Sequence, residues 1–175
     1  MNCMETPYLP CIDWYRAWVR AALHGAPYPE AGEAPNRTAI LGAWGEQTLT
    51  VPIEGGRRRL QQLPVWQLGV SEHGNWRHTH CHALTSAYGA YPYFPYFRDA
   101  LEALYTVRHT SLASLGRLSH ELFADCSGID GILRWLAVHP DAVPTGRPLP
   151  ADLPGHICAL DLLFRFGPES IFYLV

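Results

Sequence analysis

The sequence predicts a mixed α/β fold: a small N-terminal mixed sheet with a hairpin, then several packed helices in the C-terminal half. Three observations predict it. β-rich runs around a glycine-containing turn come early, and helical periods dominate the second half. The chain, at 175 residues, is long enough for one domain with a real core. Its 15 glycines and 15 prolines call for many turns, which argues against a plain helical bundle.

The elements follow in order. Asn2–Thr6 is expected as a short strand ended by the turn Pro7-Tyr8-Leu9-Pro10. "CIDWYRAWVRAAL", Cys11–Leu23, has helical periodicity with Ile12, Tyr15, Val19 and Ala22 near one face, and Gly25 and Pro27 stop it. Residues 25–36 read as a loop or ragged edge strand. Thr38–Leu41 and Thr48–Ile53 then form a hairpin whose turn lies within Gly42–Gln47, with Pro52 keeping the second strand at an edge. Arg57-Arg58-Arg59 after Gly55-Gly56 reads as a solvated loop, with capture of a phosphate or acidic ligand as the alternative. Pro64–Val70 is expected as a further strand. Helices are expected over Trp76–Tyr88, about Arg98–Val107, Ser111–Ala124 and "IDGILRWLAV". Residues 139–155 carry five prolines and no period. "ALDLLFRF" reads as a buried helix stopped by Gly167-Pro168, and "SIFYLV" as a terminal strand.

Composition excludes several functions. A formal charge of -3 gives no broad basic surface for nucleic acid, so no nucleic-acid partner is expected. All 13 basic residues are arginine. Schiff-base chemistry and the P-loop lysine are thereby excluded, and bound anions must meet Arg or backbone N–H groups. The five cysteines are scattered, odd in number and without a Cys-x-x-Cys. With no leader peptide and no apolar run long enough to span a bilayer, a reduced, cytoplasmic protein is expected. No cofactor is expected.

The candidate chemistry centres on "NWRHTHCHAL". With Trp76 at zero and about 100° per residue, His80 falls near 40°, among Trp76, Ala83, Leu84 and Ala87. His78 and His82 fall near 200° and 240° on the opposite side. They make an i, i+4 pair, but no third ligand is indicated and no metal site is expected. His80 is a titratable group in an apolar stripe. Burial would keep it neutral, which suits a general base and equally a core histidine satisfied by a backbone carbonyl. Asp161 is the lone acid of "ALDLLFRF", four residues before Arg165. That arrangement is a structural salt bridge or a carboxylate orienting a histidine or substrate amine. Asn36 and Arg37 open the hairpin, either as a turn and a surface charge or as a polar pair at a ligand-binding strand end.

Taken in order, these segments resemble the WbqC-like protein family. "TPYLPCIDWY" is similar to its Gln-Pro-x-Tyr-Leu-Pro opening, and "NRTAI" with "LTVPI" to its Asn-Arg-x-x-Ile and Leu-Thr-Val-Pro-Val pair. "NWRHTHCHALTSAYGAYPYFPYF" is similar to its Trp-x-x-x-His helix with an aromatic Pro-Phe-Phe corner, and "HICALDLLFRFGPES" to its Asp-Leu-Leu-Phe and Gly-Pro-Glu ending. The resemblance carries over Asn36, Arg37, Trp76, His80, Tyr88 and Asp161, and not His78 or His82. Thr6, His156 and Cys158 depart from the family's Gln, Asn and Ser, and residues 25–35 lack its Lys-rich stretch. What the resemblance implies is a transferase in O-antigen-type cell-surface polysaccharide biosynthesis, moving an aminoacyl group such as glycine to a sugar. On that reading His80 and Asp161 are catalytic, Asn36, Arg37, Trp76 and Tyr88 bind substrate, and the partner is a small or sugar-linked substrate. The alternative is a non-catalytic binder of a sugar or biosynthetic partner that uses Tyr91, Tyr93 and Phe94 as an exposed patch.

The odd, dispersed cysteines predict that thiol labelling after denaturation counts five free thiols by intact mass. A count of three or fewer would refute the reduced state.

Overall fold

The computed structural model describes residues 6–175. Seven α-helices and a two-stranded antiparallel sheet build it: α1 Ile12–His24, β1 Arg37–Gly42, β2 Gly45–Thr50, α2 Gly56–Gln62, α3 Trp76–Tyr88, α4 Phe94–Thr106, α5 Leu112–Ser127, α6 Ile129–Val138 and α7 Leu160–Phe166. The mixed fold class is as expected. The sheet is the hairpin alone, with Arg37 paired to Thr50 and Gly42 to Gly45. A parallel bridge between Ala39 and Ile157 adds a third, one-residue neighbour to β1. The strand expected at Asn2–Thr6 lies outside the described residues apart from Thr6, which is buried.

α1 buries Ile12, Tyr15, Trp18 and Val19 and ends at Gly25, whose φ of 68° supplies the left-handed cap. Trp76, His80, Leu84 and Tyr88 form the buried face of α3, at the spacing the helical wheel anticipates. The Ser111 hydroxyl accepts from the Ser114 N–H to start α5, and Gly128 at φ 69° both ends α5 and opens α6. α5 lies among α4, α6 and α7, while α3 packs against β1 and α4. Gly116 is the reason α5 can lie so deep. A Cβ there would collide with the Thr6 carbonyl oxygen, so the helix backbone touches the N-terminal segment directly.

Three expectations are corrected. Pro64–Val70 is not a strand: Val65–Gln67 is a 3-10 turn, and Gly69 and Val70 make only isolated bridges to Ser111 and Ile53. Pro64 lacks a ladder donor, and the segment's backbone is satisfied one residue at a time by two different neighbours. Arg57-Arg58-Arg59 is not a loop but part of α2, and all three side chains are exposed. Arg, Leu and Gln are good helix formers, and Gly55 in the left-handed region starts α2. "SIFYLV" is not a strand, because residues 167–173 form a 3-10 helix with Ile171 and Leu174 buried three apart. Pro168 sets helical φ at the start of that turn.

Glycine substitutions separate close packing from ordinary helix propensity. In an open helix position Gly→Ala stabilises by roughly 1 kcal/mol, and nothing lies near a Cβ at Gly131 in α6. Gly116→Ala is therefore expected to destabilise by about 1–3 kcal/mol while Gly131→Ala stabilises. Urea denaturation of the two variants checks the opposite signs.

Candidate functional site

Two clefts meet at a shared wall. The first, about 520 Å³, runs between the Pro7–Cys11 turn, Asp13 and Trp14 of α1, the start of β1, and His156. The second, about 750 Å³, lies between residues 30–35 and the Arg57/Leu60/Gln61 face of α2. Glu30, Ala31, Gly32, Ala34 and Arg37 line both.

Backbone pairing builds that wall. The Tyr8 N–H donates to the Pro35 carbonyl at 2.8 Å, and the Thr38 hydroxyl donates to the Leu9 carbonyl at 2.8 Å. Leu9 is held at φ 42°, among the described residues the one non-glycine in the left-handed region, and it sits in the groove wall. Such strain persists only where the surroundings over-determine it. Asn36 is buried. Its Nδ2 donates to the Val51 carbonyl and its own carbonyl accepts the Val51 N–H, both at 2.8 Å. This double tie fixes the entry to β1 and leaves Arg37, the next residue, exposed between the clefts. Among the described residues Arg37 makes no ion pair.

His80 is 4% exposed and lines neither cleft. Its Nδ1 lies 2.9 Å from the Tyr8 hydroxyl, which lies 2.5 Å from the Tyr105 hydroxyl. Trp76 meets the ring edge-on at 5.3 Å. The Thr50 backbone lies near the ring. With the proton on Nε2, Nδ1 accepts from Tyr8, and Tyr8 in turn accepts from Tyr105. Burial pulls His80 down from 6.5 to about 4, and the Thr50 backbone offsets part of that. It is a neutral imidazole behind the groove, coupled to the groove wall through Tyr8.

Asp161 is fully buried and belongs to a different cluster. Arg165 Nε approaches its Oδ1 to 2.6 Å without the alignment of a hydrogen bond, while Arg165 Nη1 donates to Asp152 at 2.7 Å. The guanidinium also lies over the Tyr91 ring, 5.1 Å from its centroid. Burial pushes the Asp161 carboxyl up to about 6, against the pull of Arg165. Tyr88 is fully buried against Phe164. Of the residues expected to act together, Trp76 and His80 adjoin, Tyr88 and Asp161 adjoin, and Arg37 lines both clefts at the start of β1, while Asn36 is buried beside it and lines neither. The imidazole of His80 is oriented by Tyr8 rather than by Asp161.

His78 and His82 are exposed with rings 6.2 Å apart, and no group of three metal-ligating residues occurs among the described residues. The aromatic corner is not one exposed patch, since Phe94 is 3% exposed and Tyr91 and Tyr93 are half-buried. Sequence reasoning missed the His156–Glu46 pair. His156 lines the groove and its Nε2 lies 2.8 Å from Glu46, a partner 110 residues away that no local pattern reveals. It also missed His120, buried with Nδ1 3.2 Å from the Tyr15 hydroxyl, and His109, which bonds the Leu104 carbonyl at 2.7 Å.

A histidine whose pKa is lowered on folding contributes stability that is complete above its unfolded value and is lost as pH falls toward the folded value. For His80 that window runs from 6.5 down to about 4. The destabilisation caused by His80→Gln should therefore shrink by up to ~1.4 kcal/mol per pH unit across it. Denaturation of both proteins from pH 7 to pH 4.5 measures the difference, which would stay flat if His80 protonates freely in the fold.

The sequence model of the WbqC-like protein family matches residues 23–136. That span holds Asn36, Arg37, Trp76, His80 and Tyr88, and ends before Asp161. Comparisons with curated proteins and with solved structures returned no match. With more than half of its length covered by that match, the chain belongs to the WbqC-like protein family.

Proposed function

We propose that this protein is a cytoplasmic transferase of cell-surface polysaccharide biosynthesis that moves an acyl or aminoacyl group onto a sugar hydroxyl or amine. The observation that carries the reading is the meeting of two clefts at Arg37. A transferase must seat a donor and an acceptor side by side, and a guanidinium at their junction suits a leaving group that departs as an anion. The larger cleft takes the donor. The groove beside Trp14 takes the sugar, whose apolar ring face can lie on the indole.

In the step itself the acceptor oxygen or nitrogen attacks the donor's carbonyl carbon. A new C–O or C–N bond forms, the bond to the leaving group breaks, and Arg37 holds the departing anion. The acceptor's proton needs a base in the groove. His156 serves, because Glu46 occupies Nε2 and leaves Nδ1 as the acceptor. His156 stands where the family resemblance expects Asn, so this role would be particular to this chain. His80 and Asp161 then act from behind the groove. His80 is a positioning residue that holds Tyr8 and hence the Leu9 turn, and Asp161 anchors Arg165. Binding without catalysis through the aromatic corner has less support, given that Phe94 is buried.

The test is complementation of a gene deletion, read by mass spectrometry of the surface glycan. A substituent is expected to vanish in the deletion and return with the wild-type chain. Arg37→Gln should fail to restore it, and His156→Ala should restore about one hundredth of the transfer rate or less. His80→Gln should restore it at low temperature and fail on warming, as a stability defect does. An unchanged glycan in the deletion strain would refute the transferase reading.

A further inference from the structure

We infer that the 750 Å³ cleft binds a nucleoside diphosphate, gripped by Arg37 from β1 and Arg57 from α2. The inference rests on the reading of this cleft as the donor side: the acyl carbon is joined to a terminal phosphate oxygen, and the nucleoside diphosphate is the anion that departs when that C–O bond breaks.

The wall facing Arg37 is one face of a helix. Arg57, Leu60 and Gln61 stand at i, i+3 and i+4 on α2, which brings a guanidinium, an apolar side chain and an amide to the same side. Arg37 enters from the first residue of β1, held by the Asn36–Val51 tie. Among the described residues neither arginine makes an ion pair, so both forks are available to a ligand. Six of the 13 basic residues do make one, and none of those six lines this cleft. Two forks from two elements match two phosphoryl groups better than one small anion, because each presents paired N–H donors to a separate set of oxygens. A cleft of 750 Å³ is also far larger than a lone phosphate requires and falls within the range for cofactor-sized ligands.

The acids of the cleft give the ligand a direction. Glu30 and Glu33 lie on the segment that leads into Arg37, across the cleft from α2, where they repel a diphosphate and accept from hydroxyl or amine donors. The phosphates therefore sit against α2 and β1, and the hydroxyl-bearing nucleoside lies along residues 30–35. Arg58, the neighbour of Arg57, does not line the cleft and provides an internal control for diffuse charge.

Isothermal titration calorimetry of the full chain with UDP, ADP and inorganic pyrophosphate tests this at low salt. One site per chain is expected for at least one of the two nucleotides, with pyrophosphate competing at roughly tenfold lower affinity. Arg57→Gln should weaken nucleotide binding roughly tenfold or more with an unchanged melting temperature, while Arg58→Gln leaves it as it was. Glu33→Gln should weaken the nucleotide and not pyrophosphate. Absence of saturable binding by both nucleotides overturns the inference, as does equal weakening by Arg57→Gln and Arg58→Gln. Pyrophosphate binding as tightly as the nucleotides overturns the role given to the acidic wall. Nucleotide binding in a protein whose deletion leaves the glycan unchanged would sink the transferase reading and leave this site standing.

Discussion

Buried backbone that belongs to no helix or ladder must still pair its N–H and C=O groups, and in this protein that constraint governs the site. Three segments far apart in sequence meet around β1. Ile12 N–H donates to the Ile157 carbonyl, Ala159 N–H to the Pro10 carbonyl, and Cys158 N–H to the Ala39 carbonyl, at 3.0, 3.0 and 2.8 Å. Tyr8 and Thr38 add the ties to Pro35 and Leu9. Each bond is worth little net, but each unmade one would leave a buried polar group without a partner at a cost of about 1–3 kcal/mol. The N-terminal turn, the hairpin and the C-terminal segment therefore come together as a unit, and the strained Leu9 is held within it.

Buried titratable groups are arranged around that unit in two independent sets. The Tyr105–Tyr8–His80 chain stays neutral, because desolvation disfavours the imidazolium and no acid among the described residues compensates it. In the Asp161–Arg165 set the guanidinium opposes the upward push of burial on Asp161, and it also pairs with Asp152 and lies over the Tyr91 ring. The two respond oppositely to acid. A lowered histidine loses stability as pH falls, whereas a raised carboxyl gains it over an overlapping range, from about 6 downward. Their effects offset one another in the intact protein.

The exposed groups tell a different story from the buried ones. Arg37, Arg57 and the His156–Glu46 pair are solvent-facing. Trp76, His80, Tyr88 and Asp161 are buried, and none of the four lines either cleft.

Sequence alone determined the features that depend on local periodicity and turn chemistry. The bounds of α3 at Trp76 and Tyr88, the burial of His80 and exposure of His78 and His82, the hairpin and the stop of α1 at Gly25 all follow from spacing that a single element reads out. Tertiary structure decided the rest. Whether Pro64–Val70 and "SIFYLV" extend into ladders depended on which backbone lay opposite, and each found single partners or its own next turn. The hydroxyl that would orient His80, the carboxylate that would meet His156 and the second arginine facing Arg37 were equally hidden. Those partners lie 72, 110 and some 20 residues away in the chain. Hydrogen bonds and charges act through space, and no period in the sequence carries that information.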